Sequence, residues 1–213
     1  SFILNSLILN TNFSHPTFLL IIKKSDTATL HFDNMRVPAS SLLGEEGSGF
    51  STVMHNFNSE RIMLSAQCIY FSELLISEAT EWALNRKTFG KNLIQHQAIR
   101  HRLIDMKTAT LASRALLHSV VEQYRIADST VTNAADRGKG GDLLVADICM
   151  LKNLSTDCFG QCADSAVQIL GGAGYVRGHP VERLYREVKV MMQIGGGSTE
   201  IMKDLAAKQM GLI

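Results

Sequence analysis

From Phe50 to Trp82 the chain reads FSTVMHNFNSERIMLSAQCIYFSELLISEATEW, with no glycine or proline to interrupt it. Phe50, Met54, Phe57, Leu64, Cys68, Phe71, Leu75 and Trp82 recur at steps of three, four or seven. That period places them on one stripe of a long helix, which is expected to run from Phe50 and to end near Gly90. Toward the C-terminus the same period returns. A second helix is expected from Gln97 to Ile126, with Ile99, Leu103, Met106, Leu117, Val120 and Tyr124 on its stripe. A third carries Leu144, Ile148, Leu151, Cys158, Cys162, Ala166 and Ile169 and stops at Gly171-Gly172. Shorter helices are expected over 180–192 and 199–210. Long stripes of this kind bury themselves against one another, so the fold class is all-α: an antiparallel four-helix-bundle-like domain, its fourth member drawn from the last helices.

Toward the N-terminus the period changes. Gly44-Glu-Glu-Gly-Ser-Gly49 reads as a hinge. Before it, Thr27–Phe32 alternates, with Ala28, Leu30 and Phe32 on one side, which predicts a short strand. Arg36-Val-Pro38 is expected to be extended, because proline disfavours helix in the residue before it. Three regions follow: a lead segment, 1–23, assigned to no element; a short β remnant, 24–47, as the end of a β-domain; and a helical domain, 48–213.

Composition narrows the function. The formal charge of +1 is no lure for nucleic acid or a membrane surface, so an anionic ligand must meet a local cluster of basic groups. The apolar lead segment is broken by Asn5, Asn10, Asn12, Ser14, His15 and Pro16, so no membrane span is expected there. The cysteines Cys68, Cys149, Cys158 and Cys162 show no metal-ligand spacing. Cys158 and Cys162 share a helix face, but small residues in a reduced core account for them.

The motifs are weak singly. Gly138-Lys-Gly-Gly141 and Gly171-Gly-Ala-Gly174 follow helices rather than strands, which makes them loops and C-caps, not phosphate cradles. Arg86-Lys-Thr-Phe-Gly90 closes the first helix, where basic residues ordinarily offset the dipole. Glu60-Arg61 sits at the edge of the apolar stripe, a usual place for a solvated or paired carboxylate. Gly195-Gly-Gly197 leads into Ser198-Thr199-Glu200, with Ser198 or Thr199 as an N-cap.

Taken in order, however, they resemble the acyl-CoA dehydrogenase family. Asp26-Thr-Ala-Thr-Leu-His-Phe-Asp-Asn-Met-Arg-Val-Pro38 and Leu43-Gly-Glu-Glu-Gly-Ser-Gly-Phe50 are similar to the end of its middle β-domain and the entry to its C-terminal helical domain. Arg86-Lys-Thr-Phe-Gly-Lys91, His96-Gln97, Ala166-Val-Gln-Ile-Leu-Gly-Gly-Ala-Gly-Tyr175, Tyr185-Arg186 and Ile194-Gly-Gly-Gly-Ser-Thr-Glu-Ile201 resemble its later signatures. The resemblance covers about residues 25–213 and omits the family's N-terminal helical domain and most of its β-domain. This fragment alone is therefore expected to lack a complete active site.

The resemblance implies an FAD enzyme that desaturates an acyl-CoA thioester, assembled as a homo-oligomer (a dimer of dimers) and passing electrons to an electron-transfer flavoprotein. It implies that Arg86, Thr88 and Phe89 contact the neighbouring subunit's FAD, and that Gln97, Gln168 and Gly172 contact its adenosine and pyrophosphate. It places Ser198 and Glu200 at FAD near the last helix, and Asn58 and Arg61 at the substrate. In many members the α-proton base is a glutamate in the loop before the last helix, where this chain has Gly196. A minority, including long-chain and isovaleryl types, set the glutamate on the first long helix before an arginine, which Glu60-Arg61 matches. Gly196 then keeps only its backbone N–H, for the thioester carbonyl. The expected location is cytoplasmic in a bacterium and the mitochondrial matrix in a eukaryote. An acyl-CoA oxidase shares these features, and a truncated helical interaction module is the reading from another class.

Overall fold

The computed structural model describes residues 30–129 and 144–213, apart from the side chains of Ser51 and His55. Its helices are α1 (Gly49–Asn85), α2 (Gln97–Ser129), α3 (Val145–Leu170), α4 (Gly172–Tyr175), α5 (Pro180–Gln193) and α6 (Thr199–Gln209). The two strands, β1 (Lys87–Thr88) and β2 (Lys91–Asn92), form an antiparallel hairpin between α1 and α2. The chain divides into two units at Val53/Met54. In the first, residues 30–37 adopt no regular element and Leu30 and Phe32 are exposed. The strand expected over 27–32 is thus absent in its described part, residues 30–32. A strand must share its hydrogen bonds with a second strand, and among the described residues none pairs with this one. Residues 27–29, the lead segment and the Gly138–Gly141 loop lie outside the described residues.

The second unit is the bundle. Thr110 of α2 meets Cys158 and Cys162 of α3, whereas Val120 packs with Ile148 and Leu151, so α2 and α3 run in opposite directions. Ser59 of α1 approaches Tyr124, and Arg114 pairs with Glu73 of α1, which makes α1 and α2 antiparallel as well. The fourth member is α5: Val181, Leu184 and Val188 join the main core with Leu75, Ala79, Phe159 and Ala166. The last helix, α6, packs Met202 and Ala206 on Cys149 of α3.

The seam of α1 lies to one side of the expected stripe. Asn58, Arg61, Ser65, Cys68, Ser72, Leu75, Ala79 and Ala83 are buried, while Phe57, Leu64, Phe71 and Trp82 are only half-buried beside them, and Phe50 is exposed. Small residues occupy the centre because neighbouring helices approach there, and the large rings fill the margins. Ser65 and Ser72 satisfy their hydroxyls by donating to the carbonyls of Arg61 and Cys68. Cys158 and Cys162 are free, buried thiols, as expected of core residues.

α3 ends at Gly171, whose φ of 61° suits glycine. Gly172–Tyr175 then forms one more helical turn where a loop was expected. No helix among the described residues is long and apolar enough to cross a membrane.

Candidate functional site

Two groups of expected site residues stand at opposite ends of α1. Along a helix, the 25 residues from Glu60 to Asn85 span about 37 Å.

The first group surrounds the start of α6. Gly195, Gly196 and Gly197 connect α5 to α6, with positive φ at Gly196 and Gly197 (70° and 112°). Arg61, on the buried side of α1, donates from Nε to the Gly196 carbonyl at 2.8 Å and from an Nη to Asn58 Oδ1 at 3.2 Å. Its guanidinium also lies 5.6 Å from the Phe57 ring centre. Burial lowers the Arg61 pKa, and the fields of Cys149 and Glu60 oppose that shift. Arg61 fills the space a side chain at 196 would take: a Cβ there would meet Arg61 Cγ at 2.9 Å. The residue that reaches over the glycine loop from α1 is therefore Arg61, with Asn58 behind it. Both are buried and bonded within the chain. Glu60, the next residue on the helix, is exposed and accepts from Asn56 Nδ2 at 2.6 Å. Beside it, Ser59, Ile62, Met63, Val121, Tyr124 and Arg125 line an open groove between α1 and α2, of about 440 Å³.

Ser198 is the N-cap of α6 and accepts from the Ile201 N–H. Glu200 is exposed in the first turn; bonds from its own backbone N–H and from Ser198 hold its carboxyl below the usual range.

Two residues that the sequence reading passed over complete this end. Lys152 of α3 is fully buried, and its Nζ donates to the carbonyls of Met192 (2.9 Å) and Gly197 (2.7 Å). Burial lowers its pKa, against the opposing fields of Cys68 and Asp157. Asn153 donates from Nδ2 to the Thr199 carbonyl, while its buried Oδ1 has no partner among the described residues. The available signal was a lysine inside an apolar stripe, between Leu151 and Cys158.

The second group stands at the far end. Phe89 and Gly90 both take positive φ, 51° and 79°, which is what a two-residue hairpin between β1 and β2 requires. The turn leaves Phe89 97% exposed at its tip. Thr88 Oγ1 lies 3.1 Å from His96 Nε2. Arg86, just before β1, is exposed and pairs with no carboxylate among the described residues. Gln97 opens α2; Gln168 is exposed in the last turn of α3; a Cβ on Gly172 would meet nothing within 4 Å among the described residues. Because α1 and α3 both end here and α2 begins here, the bundle gathers Arg86, Thr88, Phe89, Gln97, Gln168 and Gly172 at one end.

Comparison with known proteins agrees with this architecture. Residues 47–211 match the acyl-CoA dehydrogenase C-terminal domain. An acyl-CoA dehydrogenase of Bacillus subtilis is 36% identical over 86% of this chain and 45% of its own length. The mitochondrial long-chain specific acyl-CoA dehydrogenase of Mus musculus is 32% identical over 88% of this chain and 40% of its own. The crystal structure of acyl-CoA dehydrogenase from Geobacillus kaustophilus superposes with a TM-score of 0.80 at 28% identity, over 94% of this chain and 49% of that one. The chain thus spans under half the length of the relatives it matches. With a family match over residues 47–211 of its 213, the chain belongs to the acyl-CoA dehydrogenase family, as its C-terminal domain.

Proposed function

We propose that the protein of which this domain is part is an FAD-dependent acyl-CoA dehydrogenase that removes the α and β hydrogens of an acyl-CoA thioester, with Glu60 as the α-proton base. The observation that carries this reading is the bond from Arg61 Nε to the Gly196 carbonyl. It ties the helix position next to Glu60 to the loop in which other family members keep their base, and leaves the Glu60 carboxylate on the open side.

Each residue then has a physical task. The Glu60 carboxylate takes the α-proton; its bond from Asn56 Nδ2 holds it in one orientation. The Gly196 N–H donates to the thioester oxygen, where negative charge builds as the proton leaves. Arg61 holds that loop by its carbonyl, and Asn58 holds Arg61. Bound FAD would supply the acceptor for the β-hydrogen and its electron pair. Exposed Arg86 and Phe89, with no carboxylate on Arg86 and nothing crowding Gly172 among the described residues, suit an anionic, aromatic ligand. Their separation from Glu60 favours the reading that they serve the FAD of a neighbouring subunit, while Ser198 and Glu200 lie at the subunit's own flavin. A homo-oligomer follows, with an electron-transfer flavoprotein as the acceptor.

In the complete enzyme, Glu60→Gln is nearly isosteric and should keep fold and FAD while slowing flavin reduction by about 10²–10⁴, the usual scale of general-base catalysis. Rapid-mixing absorbance at the flavin band measures it. Reduction at the parental rate would remove Glu60 from the chemistry.

A further inference from the structure

Lys152 is a buried ammonium on the apolar side of α3, a position that is costly unless its protons are accepted. The two acceptors it finds are not side chains but carbonyls at the two ends of the segment that joins α5 to α6: Met192 in the last turn of α5 and Gly197, the last glycine of the loop. Arg61 holds the Gly196 carbonyl from α1, and Asn153 holds that of Thr199 from α3. Four carbonyls of one short segment are thus drawn toward α1 and α3 by two cations and an amide. Among the described residues no acceptor meets the Gly196 N–H. Glycines with φ of 70° and 112° have many other conformations open to them, so this direction has to be imposed from outside the loop.

We propose that Lys152 is a positioning residue for the thioester site: its ammonium ties the two ends of the glycine loop together and thereby aims the free Gly196 N–H. The proposal rests on the function proposed above. It differs from a packing role, because packing needs only the volume of the side chain, and methionine supplies that. The tie needs the donors.

The test uses the complete, FAD-loaded enzyme. Lys152→Met keeps close to the volume of the side chain and loses all three donors; Lys152→Gln is about as long as methionine and keeps two donors. The probe is cinnamoyl-CoA, a conjugated thioester whose absorption moves to longer wavelength when its carbonyl accepts hydrogen bonds. The parent should shift the band on binding. Lys152→Met should lose at least about half of that shift and lower kcat about tenfold or more, with KM and FAD content within about twofold, and Lys152→Gln should fall between. A folded Lys152→Met or Lys152→Gln with the parental shift and parental kcat overturns the proposal. If neither variant folds, backbone order parameters of the parent decide. Values over 195–198 equal to those within α6 support the tie, and values of an unrestrained loop refute it. Failure of the functional reading looks different: the parent then leaves the probe unshifted, or Glu60→Gln turns over normally, while the order-parameter result stands by itself.

Discussion

At position 196 two constraints meet in one residue. Its φ of 70° lies where an L side chain is strained by about 1–2 kcal/mol. A Cβ would also press on Arg61 Cγ at 2.9 Å, near the root of a side chain already committed to the Gly196 carbonyl. Gly90 has a similar φ of 79° but open space around it, so it isolates the backbone part of the cost. Gly196→Ala is therefore expected to destabilise by about 1 kcal/mol or more beyond Gly90→Ala, the excess reporting the contact with Arg61. Urea midpoints measured side by side would show it, and equal losses would mean that Arg61 moves aside freely. The sequence offered the Glu60-Arg61 pair and the glycine loop but not their connection. A bond that ends on a backbone carbonyl leaves no mark on the identity of the residue it reaches. Lys152 could be noticed as a lysine inside an apolar stripe, but the carbonyls it reaches could not, for the same reason.

At the scale of the element, α5 shows how local charge holds a helix in the bundle. Arg186 donates from Nε to Glu182 Oε1 at 2.6 Å across one turn. The bond to Arg186 holds the Glu182 carboxyl below the usual glutamate range. A depressed carboxyl stabilises the folded state in full above the unfolded value of about 4.3, and the stabilisation is lost as pH falls through the lower folded value. Thermal stability should accordingly fall as pH drops below about 4.3, and fall less steeply in Glu182→Gln, which cannot titrate. Superimposable acid limbs for the two proteins would show that the pair contributes nothing. The same scale shows what periodicity can convey. The long helices were legible because a stripe repeats over many turns, and their observed ends lie close to the expected ones. The seam of α1 was displaced because hydrophobicity marks the large residues, whereas close approach selects the small ones. The hairpin escaped notice because strands of two residues are too short for alternation, and its turn is Phe89-Gly90 rather than a familiar asparagine–glycine pair.

At the scale of the molecule, the proposed site is divided: the base and glycine loop at one end of the bundle, the hairpin and its neighbours about 37 Å along α1 at the other. If the hairpin end completes a neighbour's flavin site, two defects on different chains can be sorted into the same pocket. Complete enzymes carrying Glu60→Gln or Arg86→Ala, dissociated and reassembled together, should recover part of the parental activity, because some pockets then receive neither defect. Arg86→Ala alone should weaken FAD retention more than it slows the flavin-replete enzyme, through a charge-assisted contact of about 1.5–3 kcal/mol. Activity that never rises above that of the separate variants would place both ends in one pocket or in none. The division has a meaning for inheritance too. A lesion at Glu60 harms the pocket of the chain that carries it and a lesion at Arg86 the pocket of its neighbour, so in a cell with one sound copy of the gene random assembly leaves about half the pockets intact in either case. Two alleles with one lesion each would complement one another, which two copies of the same lesion cannot do.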